Sequence, residues 1–272
     1  MHKKCRCTPK FARSILEKSD TLLVIKDVHT YYEDSYVLQG VNLEVPRGKI
    51  VAILGRNGMG KTTLIRSVFG LTPPRSGSVE FKGSSLTGLT PFRIAQMGLA
   101  LVPQGRRIFK NLSVLENLQL PTSGLAKSKA NQRTKQNIDS EWTTEKVLDE
   151  FPQLRDRLNN GGNELSGGEQ QMLAIGRALV ANPDLVLMDE PSEGLSPRFV
   201  LHVGEIMKRM RSLGHAILLV EQNLALALSV ADHVHIIASG RFVFSGTPEE
   251  LKSNPDVLDE HLGVSSAKAL DA

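Results

Sequence analysis

The stretch Gly55-Arg56-Asn57-Gly58-Met59-Gly60-Lys61-Thr62-Thr63 limits what this chain can fold into more than any other. Ahead of it Ile50-Val51-Ala52-Ile53-Leu54 is an unbroken apolar run, the pattern of a parallel strand buried on both faces. Behind it Thr63-Leu64-Ile65-Arg66-Ser67-Val68-Phe69 has helical spacing. Strand, glycine-rich turn and helix in that order make a phosphate-binding loop, with Gly55 followed after four residues by Gly60-Lys61-Thr62. Gly55, Gly58 and Gly60 let the backbone curl so that successive N–H groups, those of Asn57 and Thr63 included, face phosphate oxygens, and the helix adds its positive dipole end. Lys61 supplies a mobile charge for the β- and γ-phosphates, and the Thr62 hydroxyl can ligate Mg²⁺. The alternative is a glycine-rich turn that only tightens a strand-to-helix connection, and the strand-then-helix context weighs against it.

A parallel strand needs crossover partners, and the rest of the chain supplies them. Thr21-Leu22-Leu23-Val24-Ile25 opens the ordered region, and Val41, Leu43 and Val45 alternate with polar residues up to the turn Pro46-Arg47-Gly48. Between them lies Tyr31-Tyr32 in a polar loop, where the rings either face a purine or cover a sheet edge. Ser78–Phe81 is expected as a strand, 91–97 as a helix, and Leu99-Ala100-Leu101-Val102 as a buried strand ending at Pro103-Gln104-Gly105. Residues 105–182 carry helical periodicity only, which predicts an α-helical insertion, with polar 121–139 as a mobile surface loop. Strand patterning returns at 185–188, 216–220 and 234–237, with a helix over 197–213. Thr247-Pro248-Glu249-Glu250 then has the residues of a capping box and starts a short helix. The predicted fold class is α/β, with a parallel sheet and crossover helices.

Composition narrows the setting. With 272 residues, 40% of them hydrophobic, the chain can bury a full core. No apolar run approaches the roughly 20 residues that span a bilayer, so the expected location is cytoplasmic. The formal charge of +4 is modest and sits largely in a basic leader, Lys3, Lys4, Arg6, Lys10, Arg13 and Lys18 against Glu17, which does not by itself indicate nucleic-acid binding. Residues 1–20 are expected to be disordered and 264–272 to be a flexible tail. Cys5 and Cys7 are too close for an ordinary disulfide and have no further cysteines for a tetrahedral metal site.

Two further stretches carry chemistry. Leu185-Val186-Leu187-Met188 is an apolar strand ending in Asp189-Glu190, and in an open parallel sheet that end lies on the ligand edge. Asp189 can orient Mg²⁺ through its water shell, and Glu190 can polarise the attacking water. Leu165-Ser166-Gly167-Gly168-Glu169-Gln170 has capping-box spacing before a helix, and its free hydroxyl and two glycines make a second anion site.

Together these residues resemble the nucleotide-binding subunit of an ATP-binding cassette transporter over about 22–262. The resemblance implies a P-loop NTPase with a RecA-like parallel-sheet core, an antiparallel β edge and an inserted α-helical subdomain at about 105–182 within a domain at 21–263. It implies ATP and Mg²⁺ as ligands. Leu165–Glu169 is then the signature motif, and Ser166, Gly167 and Gly168 contact the γ-phosphate of ATP held by an opposing subunit, so two cassettes pair head to tail. Gln104 senses Mg²⁺ and the membrane partner, Tyr32 stacks on adenine, and Ser192-Glu193-Gly194-Leu195 crosses the dimer seam.

One departure stands out. Most cassettes have histidine where this chain reads Leu219-Val220-Glu221-Gln222-Asn223. Gln222 can donate a hydrogen bond to the γ-phosphate but cannot become a cation, so it stabilises the transition state less. That triplet, with Pro103–Phe109 and Gly168–Leu179, is similar to the smaller ATPase of branched-chain amino acid importers, with urea and amide importers close behind. The implied partners are a second cassette ATPase in a heterodimer, two membrane permease subunits and, indirectly, a periplasmic solute-binding protein, with the chain peripheral to the cytoplasmic face of the inner membrane. A soluble cassette protein of translation or DNA maintenance is the competing expectation, opposed by the single cassette and the absence of a heptad run.

Overall fold

The computed structural model of the chain describes residues 20–129 and 141–263. β1 (Thr21–Tyr32) and β2 (Ser35–Pro46) form an antiparallel hairpin. β3 (Ile50–Leu54) runs into the glycine-rich loop, and α1 (Lys61–Val68) leaves it. β4 (Ser76–Phe81) and β5 (Ser84–Ser85) complete a four-stranded antiparallel sheet of order β2-β1-β4-β5. Next come α2 (Pro91–Gln96) and β6 (Leu99–Val102), then a helical stretch of α3 (Val114–Lys129), α4 (Thr144–Glu150), α5 (Pro152–Arg155) and α6 (Gly167–Val180). The chain closes with β7 (Leu185–Asp189), α7 (Pro197–Ser212), β8 (Ala216–Glu221), α8 (Leu224–Val230), β9 (His233–Ala238), β10 (Arg241–Gly246), α9 (Pro248–Lys252) and α10 (Pro255–Leu262).

The second sheet has the order β10-β9-β3-β8-β7-β6 and is parallel except for β10. Every residue of β3, β7 and β8 is buried. Alternation divides them between two cores. Ile50, Ala52, Leu54, Val186, Met188, Ile217 and Leu219 face a core built with α3, α4, α6, α7 and α8. Val51, Ile53, Leu185, Leu187, Leu218 and Val220 face α1 and the antiparallel sheet. Helices on one side and a second sheet on the other leave only the strand ends open, which is where the site lies. A buried Thr30 Oγ1–Ser67 Oγ hydrogen bond of 2.9 Å ties β1 to α1.

Two expectations need correction, and one strand was missed. Tyr31 and Tyr32 are not in a loop but end β1, and the hairpin turns at Glu33 and Asp34. The polar stretch read as a surface loop is helical up to Lys129, with Pro121 inside α3; residues 130–140 lie outside the described residues. A reciprocal cap starts that helix: Glu116 Oε2 accepts from Ser113 N at 2.7 Å and Ser113 Oγ from Glu116 N at 3.2 Å. Buried Val114 and Leu118 then anchor the first turns, so tertiary packing outweighs composition. β10 was not anticipated: Arg241-Phe242-Val243-Phe244-Ser245-Gly246 has only three apolar residues in a row, without alternation, and forms an edge strand paired with β9. The expected leader and tail, with Cys5 and Cys7, fall outside the described residues apart from Asp20.

Candidate nucleotide site

The glycine-rich loop is shaped by its neighbours. A Cβ on Gly55 would lie 2.6 Å from the Ile237 carbonyl oxygen, and Gly60, the N-cap of α1, has φ 104, a conformation that side chains resist. Lys61 is buried, and its Nζ donates to the Gly55 carbonyl at 2.9 Å and the Arg56 carbonyl at 3.1 Å. Its third partner is the Glu190 carboxylate, 3.1 Å away and equally buried. An ammonium buried among loop carbonyls and one carboxylate is a charge held ready for exchange onto phosphate.

Thr62 and Asp189 come together from elements 127 residues apart, the Thr62 hydroxyl donating to Asp189 Oδ1 at 3.1 Å. Burial pushes the Asp189 carboxyl up to about 6, with the Thr62 hydrogen bond opposing and the neighbouring Glu190 adding to the rise. A hydroxyl, one carboxylate and the nearby Gln104 amide are too few for a closed metal cage, and among the described residues no group of three or more His, Cys, Asp or Glu residues could hold a metal ion by itself. Such a donor set fits Mg²⁺, which keeps several waters and takes its remaining ligands from phosphate.

Glu190 is the centre of the cluster. Its φ of 50 is left-handed, and its N–H donates to the Val220 carbonyl at 2.8 Å. Gln222 Nε2 donates to Glu190 Oε1 at 2.9 Å and to Asn57 Oδ1 at 2.5 Å. Gln104 Nε2 donates to Glu190 Oε2 at 3.2 Å and to Glu193 Oε2 at 3.1 Å. One carboxylate therefore contacts a lysine and two glutamines that arrive from three separate segments.

Sequence reasoning missed Glu221. Its carboxylate is buried at the end of β8 and accepts from the N–H groups of Ser192 at 3.0 Å, Gln222 at 3.1 Å and Asn223 at 3.1 Å. Burial raises its pKa, and these hydrogen bonds oppose the rise. The residue fixes Gln222 and the 192–195 loop to the same strand end. The signal was an acid in the last position of an otherwise apolar run.

Ser166, Gly167 and Gly168 stand apart from this cluster. Ser166 caps α6: its Oγ accepts from Glu169 N at 3.3 Å, and Glu169 Oε2 accepts from Ser166 N at 2.7 Å. No hydrogen bond or ion pair among the described residues joins Ser166–Gly168 to Gly55–Thr63. Tyr32 is 42% exposed, and its hydroxyl accepts from Thr72 Oγ1 at 3.4 Å, so its ring remains open to a ligand. Tyr31 instead packs flat on Tyr36, with Arg75 over its ring at 4.0 Å.

A lysine-bearing loop and a carboxylate pair at the same end of a parallel sheet define a P-loop NTPase. Residues 38–193 match the family model described as ABC transporter. Over 242 residues the chain is 40% identical to the high-affinity branched-chain amino acid transport ATP-binding protein BraG of Pseudomonas aeruginosa, covering 89% of this chain and 100% of that protein. It is 32% identical over 245 residues to the lipopolysaccharide export system ATP-binding protein LptB of Haemophilus influenzae, covering 89% and 98%. Among solved structures, the ADP conformation of MJ1267, an ATP-binding cassette of an ABC transporter, matches with a TM-score of 0.74 at 27% identity over 88% of this chain and 97% of that one. The chain belongs to the ABC transporter family. It has the expected cassette fold, binds nucleotide and is an ATPase.

Proposed function

We propose that the chain powers a bacterial importer, coupling ATP binding and hydrolysis to uptake of a small polar solute, branched-chain amino acids first among them. The observation that carries the catalytic part is Glu190, held at once by Lys61, Gln104 and Gln222. The solute class is supported by the similarity to BraG over that protein's whole length. Urea or amide uptake is the second reading. The LptB likeness, to an export protein, makes the direction of transport something to measure.

The catalytic unit is residues 21–263, with about 105–182 as its helical subdomain. Phosphate entering the loop draws Lys61 off Glu190, and the freed carboxylate orients and polarises the attacking water. Asn57, Gly58, Gly60 and Thr63 bind phosphate through backbone N–H groups, and Tyr32 stacks on the base. Thr62, Asp189 and Gln104 are the residues that would hold Mg²⁺, whose charge would offset that of the phosphates. Gln222 donates to the γ-phosphate. Ser166–Gly168 close the nucleotide site of a second cassette ATPase, expected to be a different chain, so that ATP binding draws the pair together and hydrolysis releases it. Two permease subunits receive this motion, and a periplasmic solute-binding protein delivers to them. The chain is then peripheral on the cytoplasmic face of the inner membrane; no helix among the described residues is long and apolar enough to cross it. No role with nucleic acid is proposed.

Glu190→Gln should retain ATP binding, lose turnover by at least about 100-fold and hold an ATP-bound pair visible by sedimentation. Wild-type turnover in this variant would remove Glu190 from the water-activating role. Radiolabelled leucine and urea uptake into cells carrying the chain with its neighbouring permease genes distinguishes the solutes and reads the direction.

A further inference from the structure

Glu221 is a buried acid without a cation. It closes β8, is 2% exposed and makes no ion pair among the described residues. Burying an unpaired carboxylate is costly, so hydrogen bonds have to replace the water it loses. Three backbone N–H groups do so. Oε1 accepts from Ser192 at 3.0 Å, and Oε2 accepts from Gln222 and from Asn223, both at 3.1 Å.

The two oxygens thus serve two separate turns. One holds the turn that follows Glu190, and the other holds the turn that carries Gln222. An alcohol has a single oxygen and reaches one turn. An amide offers one acceptor beside an NH₂ group, which would face a second donor. An ionised carboxyl accepts on both sides of a planar group and fixes the turns relative to each other.

Those turns carry the hydrolytic cluster. Gln222 Nε2 donates to Asn57 Oδ1 of the phosphate loop at 2.5 Å and to Glu190 Oε1 at 2.9 Å. Glu190 has a left-handed φ of 50, a conformation that persists where the surroundings hold both of its flanks. On one flank its own N–H donates to the Val220 carbonyl of β8 at 2.8 Å. On the other, Ser192 N is held by Glu221, the next residue of the same strand.

We infer that Glu221 is a positioning residue for ATP hydrolysis: its carboxylate, accepting from both turns at once, sets the Gln222 amide between the phosphate loop and Glu190. This rests on the roles proposed above for Glu190 and Gln222. Glu221 acts through Gln222 and not on ATP itself, and it needs its charge because only the ionised form accepts from both turns.

Steady-state ATPase activity is measured on the full chain in its assembled complex, and ATP binding by displacement of a fluorescent nucleotide. Glu221→Gln should lower kcat at least about tenfold while KM and ATP affinity change less than about twofold. Glu221→Asp, which keeps two acceptors on a shorter arm, should recover part of that loss. Adding Gln222→Ala to Glu221→Gln should cost less than about threefold more, because residues that act as a unit are not additive. Equal turnover of the Glu221→Gln and parent chains overturns the inference. So do multiplying losses in the double variant, or a fall in ATP affinity that matches the fall in kcat, which marks a structural role. If Glu221→Gln does not fold, Glu221→Asp decides alone: a lower kcat at unchanged KM supports the inference, and the parent kcat overturns it. Gln222→Ala by itself keeps the two readings apart. Turnover lost there but kept in Glu221→Gln overturns the inference alone, turnover lost only in Glu221→Gln overturns the route through Gln222, and turnover lost in neither removes the proposed role of Gln222 as well.

Discussion

Gln222 occupies a demanding position for a neutral side chain. Its amide bridges Asn57 of the phosphate loop and Glu190 at the end of β7, so it can report the γ-phosphate to the carboxylate even though it carries no charge. Gln222→Ala is expected to lower kcat about tenfold with little change in KM, as for a contact that strengthens only in the transition state. Steady-state ATPase assays of the assembled complex check this, and unchanged turnover would leave Gln222 without a catalytic role. His235 acts on stability instead. Burial, aided by neighbouring His233, pushes its pKa down to about 3, and its ring packs against Phe242 with centroids 4.7 Å apart. Below pH 6.5 the unfolded chain takes up a proton that the folded chain refuses, so stability falls as the pH drops. At pH 5 the loss from this residue is about 2 kcal/mol. In denaturant titrations at pH 7 and pH 5, His235→Phe should therefore narrow the difference between the two midpoints.

Helix α6 shows how one element serves two purposes. Its N-terminus is capped reciprocally by Ser166 and Glu169, and its buried face, including Met172, Leu173, Ile175 and Leu179, builds the core over the parallel sheet. The cap fixes Ser166 in extended backbone at the tip, where its hydroxyl remains near the surface. Ser166→Ala should cost about 1 kcal/mol of stability, and ATP-driven pairing besides, whereas Ser166→Asp keeps the cap but sets a carboxylate against phosphate. Comparing thermal melts with pairing for the two variants separates the roles. Further along, Gly176 lets α3 and α4 approach: a Cβ there would lie 2.7 Å from Val147 Cγ1 and 3.3 Å from Leu118 Cδ2. Gly176→Val should destabilise the chain by about 2 kcal/mol in urea titration, although glycine is a poor helix former.

At the scale of the molecule, two cores share one sheet, and the site lies where neither covers it. Ligand that binds only this arrangement stabilises all of it. At 100 times its dissociation constant, ATP should add about 2.7 kcal/mol to the unfolding free energy, read as a shift in thermal midpoint, and Lys61→Ala should abolish most of that shift. An equal shift in the variant would separate Lys61 from nucleotide binding. Much of this organisation was legible from residues alone. The apolar runs at 50–54, 185–188 and 216–220 specify strands buried on both faces, because only a covered parallel sheet accepts them. The loop between Gly55 and Thr63 specifies phosphate, because its chemistry is local: backbone N–H groups, one lysine and one hydroxyl adjacent in sequence. Non-local relations were not legible. That Tyr31 and Tyr32 end a strand depends on pairing with Ser35 and Tyr36, and that α3 runs through Pro121 depends on a cap and a packed first turn. The grip of Lys61, Gln104 and Gln222 on Glu190, the anchoring of two loops by Glu221, and the lodging of Arg106 between Gly167 and Gly194 bring together residues tens of positions apart. Sequence determined the strands, the phosphate loop and the chemical types at the site, since each is written in neighbouring residues. Only the tertiary structure decided which charges meet, because burial and distance arise when separate strand ends converge on one edge.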